Sequence, residues 1–138
     1  MENTHTARIT ATVVKNSQRL KFLPRYFGAR YMLDVENMLY NELSNLCAEY
    51  QSGYWEFYEL SNGGCYASPR GHEFKLVARN GFEGTVSADA AGIVAMLYAL
   101  SFLSFDHRDI EVFPMRYHQL RDFALEHAEA YAILRAID

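Results

Sequence analysis

Histidine, cysteine and carboxylate side chains are the residues of this 138-residue chain whose types could support catalysis or metal binding. The five histidines are scattered, and His118 and His127 stand nine positions apart, which is not a metal-ligand spacing on one helix face. Cys65 and a distant histidine could form a nucleophile pair, but any chain with two cysteines and five histidines would match that description. We therefore expect no catalytic residue, no metal site and no cofactor.

Other short motifs also suggest chemistry, and each has a simpler explanation. The triplet His107-Arg108-Asp109 matches the catalytic loop of protein kinases, but the chain is too short for a kinase and lacks the glycine-rich loop. Glu56 and Glu59 would face opposite sides of a strand, so they are not an acid–base pair. The glycines after Asn62 and Asn80 are not followed directly by a helix, which favours turns over a phosphate-binding loop.

Charge is unevenly distributed along the chain, although the net charge is only −4. Residues 1–30 carry six basic side chains and one acidic side chain, whereas residues 31–138 carry 7 basic and 16 acidic side chains. Between residues 31 and 69 there are six carboxylates and no lysine or arginine. Such asymmetry is typical of an interaction surface, and the alternative is a solvated acidic helix face beside a basic tail.

We expect partner-binding residues in this acidic segment and at the turns and the helix start that follow it. The candidates are five glutamates, two asparagines at predicted turn tips and one aspartate at a predicted helix start. They are Glu36, Glu42, Glu49, Glu56, Glu59, Asn62, Asn80 and Asp89. Each has a structural alternative, which is a solvated face, turn geometry or helix capping.

The composition predicts a folded domain with a packed core. Half of the residues are apolar and 14% are aromatic, which argues against disorder. The run 88–105 is nearly long enough to cross a bilayer, but it contains serines and lacks basic flanks, so we expect a buried core helix and no membrane contact. No signal-peptide pattern opens the chain, so we expect Cys47 and Cys65 to be buried thiols and the protein to be cytoplasmic.

The first part of the chain combines a polar start with helical patterns. Residues 1–17 are expected to form a flexible arm or a frayed edge strand, and residues 18–138 a single α+β domain. A short turn of helix is expected to end at Gly28, because proline and glycine flank a brief apolar run. A longer helix is expected to begin with an N-cap at Asp34 and to end by Gly53.

The last part of the chain is also predicted to be helical. Ser87 is a suitable N-cap for a helix that is apolar around much of its circumference, and small residues near its start would let it lie close to a sheet. A final helical segment is expected to begin at Pro114 and to bend near Ala128.

Two Asn-Gly turns predict two β-hairpins in the middle of the chain. A three-residue loop at the second turn pairs Ala78 with Phe82 and puts the apolar residues of both strands on one face, whereas a two-residue loop would mix them with basic residues. The same register in the first hairpin sets Tyr58 opposite Tyr66. We therefore predict an α+β fold with a small antiparallel meander of about four strands packed against three to four helices.

Several runs of residues carry a resemblance that extends over nearly the whole chain. They are Arg19–Pro24, Trp55–Gly64, Ala67–Pro69, Asn80–Phe82, Ser87–Ile93, Tyr117–Asp122 and Ala136–Asp138. In these runs the chain resembles the plasmid-borne antirestriction family of the ArdB/KlcA type, whose members block type I restriction enzymes. The resemblance implies a non-enzymatic bacterial inhibitor that protects incoming mobile-element DNA. The partner that it implies is the type I restriction-modification complex, contacted directly or indirectly.

Antirestriction proteins of another family imitate DNA, and the charges of this chain argue against that mechanism. Duplex DNA carries one charge per ~1.7 Å of axis, so a mimic of one helical turn needs about twenty aligned carboxylates. This chain has 17 carboxylates, partly offset by 13 basic groups. The alternative function is a nucleic-acid-binding accessory protein of a mobile element that uses the basic N-terminal arm, and we expect such DNA binding to be weak or absent.

Overall fold

A computed structural model of the chain describes residues 8–138. The first seven residues of the predicted N-terminal arm lie outside the described residues. The order of elements is strand, long helix, two hairpins and three helices. They are β1 (Ala11–Val13), α1 (Arg19–Leu46), β2 (Trp55–Leu60), β3 (Cys65–Pro69), β4 (Glu73–Val77), β5 (Glu83–Ser87), α2 (Ala88–Asp106), α3 (Val112–Leu125) and α4 (Ala130–Ile137).

The strands form two antiparallel sheets, and together with the helices they confirm the predicted α+β class. The first sheet has the order β1-β2-β3, and the second is the hairpin β4-β5. The predicted single meander is thus divided, because the second hairpin packs against α2 and α4 and does not extend the first sheet. The additional strand β1 corresponds to the edge-strand alternative for the N-terminal region, since Ala11 pairs with Leu60 and Val13 with Tyr58.

Both predicted hairpin registers are confirmed. Tyr58 lies opposite Tyr66, and their rings stack with centroids 4.9 Å apart. In the second hairpin, the Ala78 N–H donates to the Phe82 carbonyl at 2.8 Å, and Leu76 lies opposite Gly84. The pattern of apolar residues therefore selected the loop length, because a slip of one residue would have moved the whole apolar set to the solvent face.

Helix α1 differs from the prediction in where its longer part begins. Its two helical arms meet at Gly28, whose φ of 80° and ψ of 155° are not helical. The glycine ends the first arm as predicted, but the second arm begins at once, so Asp34 lies inside the helix and is not an N-cap. The helix ends at Leu46, which agrees with the predicted end by Gly53, although the residue that follows its last turn is Cys47 and not the glycine. The predicted start failed because a polar N-cap type inside a helical run carries no information about where the helix starts.

Helix α2 is the centre of the core. The Ser87 Oγ accepts a hydrogen bond from the Ala90 N–H at 3.1 Å, which confirms the predicted N-cap. A Cβ at Gly92 would lie 2.0 Å from the carbonyl oxygen of Ala67, so the glycine allows the helix to touch β3. The helix is apolar and long enough to cross a membrane, and 67% of its most apolar stretch is buried inside the protein. A core helix meets the same criteria, which makes α2 weak evidence for a membrane span.

The C-terminal helices cover the remaining side of α2. The predicted final segment is divided into α3 and α4 at the non-helical residues 126–129, which agrees with the expected bend near Ala128. Cys47 and Cys65 are buried free thiols, as expected. Burial is the main reason that the pKa of the Cys65 thiol is raised far above its usual value, so this sulfur remains protonated.

Candidate partner-binding site

The fold supplies arginines to the acidic segment from outside it. Glu42 is 4% exposed, and its Oε1 lies 2.9 Å from the Arg79 Nη1. The same guanidinium lies over the Phe102 ring at 4.8 Å. The hydrogen bond that Arg79 donates to Glu42 raises the pKa of Arg79. Glu42 therefore joins α1 to the second hairpin, and little of its side chain is left for a partner.

The two glutamates of β2 lie on opposite faces of the strand and have different partners. Glu56 Oε1 lies 3.6 Å from the Arg70 Nη2. Glu59 Oε2 accepts hydrogen bonds from the Arg25 Nη1 at 3.2 Å and from the Tyr26 hydroxyl at 3.0 Å. Burial and then this hydrogen bond raise the pKa of Tyr26 to about 12. Both carboxylates remain about one-third exposed, so they are accessible as well as paired.

The two predicted turn asparagines hold their hairpins against helices. The Asn62 Nδ2 donates to the Gln119 carbonyl of α3 at 2.9 Å, and its Oδ1 accepts from the Gly64 N–H at 3.0 Å. The Asn80 Nδ2 donates to the Arg135 carbonyl of α4 at 2.9 Å, and its Oδ1 accepts from the Phe82 N–H. These contacts favour the turn-geometry alternative for both positions.

Asp89 is the centre of a polar network that no sequence pattern indicates. Its Oδ1 accepts from the Tyr66 hydroxyl at 2.7 Å, and its Oδ2 lies 2.8 Å from the His127 Nε2. The His127 Nδ1 accepts from the Glu129 N–H at 2.9 Å, so the Nε2 carries the proton that Asp89 accepts. Glu129 in turn accepts from the backbone N–H and the hydroxyl of Ser87.

The hydrogen bonds of this network hold β3, α2 and the segment between α3 and α4 together. Both ring nitrogens of His127 are engaged, so the imidazole cannot take a proton from a substrate without first breaking a bond within the fold. Asp89 and His127 are 38 positions apart, and no sequence spacing indicates their contact. Among residues 8–138, no group of three or more His, Cys, Asp or Glu side chains is placed to hold a metal ion.

Glu36 and Glu49 occupy different parts of the surface. Glu49 is exposed beyond the end of α1. Glu36 accepts from the Tyr40 hydroxyl at 3.4 Å and lines a groove of about 240 Å³. The groove is formed by the two arms of α1 and by Phe57 of β2, and Arg19 also lines it. The structure thus distributes the predicted residues over several surfaces, and the groove is an apolar site that the sequence analysis missed.

One signal in the sequence could have indicated this groove. A proline and a glycine four positions apart, Pro24 and Gly28, mark the bend between two apolar runs. Which side chains the bend leaves on the surface depends on the rotation of each arm against the sheet, and the helical pattern alone does not determine that rotation.

Comparisons with known proteins agree with this architecture. The family model described as "Antirestriction protein" matches residues 48–138. Two Escherichia coli proteins, each called antirestriction protein KlcA, are 49% and 46% identical to this chain. The first match covers 94% of both chains, and the second covers 99% of both. The uncharacterized protein YafX of Escherichia coli strain K12 is 38% identical over 94% of this chain and 88% of its own length.

A solved structure has the same fold. It is 45% identical to this chain with a TM-score of 0.89, and the match covers 99% of this chain and all of the other. The study that reports this structure describes, for the KlcA and ArdB proteins, a novel fold and antirestriction activity against type I DNA restriction systems in vivo but not in vitro. With a family model matching more than half of its length and relatives this similar, the chain belongs to the antirestriction protein family.

Proposed function

We propose that this protein relieves restriction by type I restriction-modification systems in the bacterial cytoplasm and so protects incoming mobile-element DNA. One observation carries the proposal. A structure that superposes over 99% of this chain at 45% identity belongs to work that reports this activity for KlcA and ArdB in vivo. At that similarity the backbones of the two chains are expected to correspond over their whole length.

The mechanism that we propose is non-catalytic contact with a protein and not imitation of DNA. Three of the five candidate glutamates, Glu42, Glu56 and Glu59, lie within 4 Å of an arginine, so the surface lacks the aligned free carboxylates of a duplex mimic. The activity of KlcA and ArdB is described as present in vivo but not in vitro. That difference favours an indirect route, in which this protein contacts a cellular component that purified restriction reactions lack.

Binding to DNA is expected to be weak or absent in this mechanism. Several basic residues near the start of the chain are engaged with the rest of the protein. Arg25 pairs with Glu59, Arg8 donates to the Glu126 carbonyl, and Arg19 lies over aromatic rings. These contacts hold each cation at a partner inside the fold, which leaves it less available to a phosphate backbone.

The direct test is phage plating on cells with a type I restriction system, with and without expression of this protein. We expect the protein to rescue unmodified phage and to leave the plating of modified phage unchanged. A strain with a type II system serves as the control for specificity. Equal restriction of unmodified phage in the presence of soluble, folded protein would overturn the proposal.

A second test addresses the glutamates of β2. Replacing Glu56→Gln together with Glu59→Gln should weaken the rescue of phage, while the melting temperature changes by only a few degrees, because exposed ion pairs contribute little to stability. The matched control replaces Glu73→Gln and Glu83→Gln, two exposed glutamates of the second hairpin. Full rescue by the first double variant would remove β2 from the mechanism.

A further inference from the structure

The groove in α1 combines an apolar rim with a cation. Gly28 bends the helix, and the two arms therefore diverge and leave an open cleft between them. Leu20 on the first arm is 95% exposed and Leu33 on the second arm is 60% exposed, and both line the groove. Leucines exposed to this extent on both sides of one cleft form an apolar surface that the fold itself does not use.

Arg19 supplies the only lysine or arginine side chain among the groove-lining residues that the structure describes. Its guanidinium carbon lies over two aromatic rings, 4.3 Å from the Tyr54 centroid and 4.5 Å from the Phe57 centroid. The Nη1 atom is buried, and it has no hydrogen-bond partner among residues 8–138. Because Nη1 is closed off from solvent, an acceptor in the groove would meet the remainder of the Arg19 side chain, which lines the groove and carries its positive charge.

The aromatic rings also hold the guanidinium in place. Stacking on two rings restricts the orientation of the planar group, and less side-chain freedom is then lost when an acceptor binds. A carboxylate matches this donor best, because a guanidinium binds a carboxylate through parallel N–H···O bonds. The groove is therefore preorganised for an apolar segment that carries a negative charge.

We propose that the groove between the arms of α1 docks an apolar peptide segment of a partner protein, with a carboxylate of that segment on Arg19. This proposal deepens the proposed function and rests on it, since it gives the chemistry of the surface through which a cellular partner would be contacted. The volume of about 240 Å³ suits one or two apolar side chains and is smaller than typical cofactor pockets. A nucleic acid fits less well, because a phosphate backbone needs several aligned cations and Arg19 is the only one among the described lining residues. Glu36 would repel any anion on its own side of the groove, so the carboxylate of the segment must lie at Arg19.

The first experiment identifies the segment chemistry directly. A random-peptide display library is selected on the full-length protein and counter-selected on the double variant Leu20→Ser/Leu33→Ser. Both leucines are exposed, so the variant is expected to fold normally. We expect the recovered peptides to share large apolar residues beside an aspartate, a glutamate or a free carboxyl terminus.

Affinities of recovered synthetic peptides then test the role of Arg19. Arg19→Met keeps the length and apolar stem of the side chain but removes the donors, and we expect it to weaken binding by about tenfold or more. The matched control is Leu125→Ser, which changes a half-exposed leucine on α3 and should leave binding unchanged. Three outcomes would each overturn the proposal. No peptide is recovered, the recovered peptides bind the double variant as well as the wild type, or they bind Arg19→Met as well as the wild type.

Two further measurements address other occupants and the link to function. Sedimentation of the wild type and of Leu20→Ser/Leu33→Ser would assign the groove to a second copy if only the wild type dimerised, and Arg19-dependent binding of a DNA duplex would assign it to nucleic acid. Either result overturns the proposal. In phage plating, we expect the double variant to lose rescue while Leu125→Ser retains it. Full rescue by the double variant refutes the groove alone, whereas failure of the wild type refutes the proposed function.

Discussion

At the scale of single residues, three of the predicted partner-binding positions are held by hydrogen bonds inside the fold. Asn62 and Asn80 fasten two turns to two helices, and Asp89 joins β3 to the segment between α3 and α4. All three belong to runs that carry the resemblance to the antirestriction family. Those runs can therefore be explained by folding, and direct partner contact at these three positions stays a prediction.

Asp89→Asn tests the network around His127. The amide has one carbonyl oxygen, so it can accept from the Tyr66 hydroxyl or from the His127 Nε2–H group but not from both. We expect the free energy of unfolding to fall by about 1–3 kcal/mol, measured by urea denaturation. Asp122→Asn, at an exposed position of α3, is the control. Wild-type stability of the Asp89 variant would contradict the hydrogen-bonding scheme.

Gly92→Ala tests the approach of α2 to β3. The added Cβ would lie 2.0 Å from the Ala67 carbonyl oxygen and 2.8 Å from the Ser68 Cα, and both are backbone atoms that cannot rotate away. We expect a loss of about 3 kcal/mol or more in the free energy of unfolding. Ser101→Ala on the exposed side of the same helix should change it little. A small effect at Gly92 would mean that helix and strand separate easily.

At the scale of elements, the bend in α1 shapes the groove that we propose as a docking site. The φ and ψ angles of Gly28 fall in a region that is essentially restricted to glycine. The two arms of α1 that meet there form the groove that Arg19 lines. A straight helix would bury or separate the same side chains. The shape of this surface thus depends on one residue that contributes no side chain to it.

Gly28→Ala is therefore expected to act through conformation. No atom outside the neighbouring residues lies within 4 Å of the added Cβ, so the cost is backbone strain of about 1–3 kcal/mol and not a clash. We expect reduced stability in urea and, because the arms shift, weaker binding of groove-selected peptides. Asn37→Ala, an exposed position on the second arm, is the control. Unchanged stability would indicate that the bend does not require glycine.

At the scale of the whole molecule, tyrosines are a large part of the packing between elements. Five of the ten tyrosines have a raised pKa, with burial as the largest cause in each case, and the pKa values of Tyr26 and Tyr40 are both about 12. In the unfolded chain these hydroxyls would titrate near 10.0. The folded protein therefore binds more protons than the unfolded chain between these two values.

Stability should consequently fall as the solution becomes alkaline. Because the folded-state pKa is raised, the stabilisation is complete below about pH 10 and is lost as the pH rises towards about 12. Urea denaturation at increasing pH measures this dependence. The double variant Tyr26→Phe/Tyr40→Phe should show a weaker dependence, while Tyr131→Phe, at an exposed position, should match the wild type. A flat profile for the wild type would contradict the prediction.

The sequence predicted best those features that depend on neighbouring residues. Alternation of apolar residues and an Asn-Gly turn were enough to predict the pairing of Ala78 with Phe82, and Ser87 with the apolar run after it predicted the core helix. The predicted start of the long helix was wrong, because Asp34 lies on an exposed face inside the helix and is not its cap. Local patterns do not distinguish these two roles.

The amino-acid sequence by itself determined the class of fold, the hairpin registers and the family, because these follow from short patterns and from runs of residues. Only the tertiary structure decided that Arg25, Arg70 and Arg79 pair with three glutamates of an acidic segment that has no basic residue of its own. It likewise brought His127 to Asp89 and left Leu20 and Leu33 on the rim of one groove. Those contacts join residues that are distant in the chain, and their geometry depends on how whole elements pack.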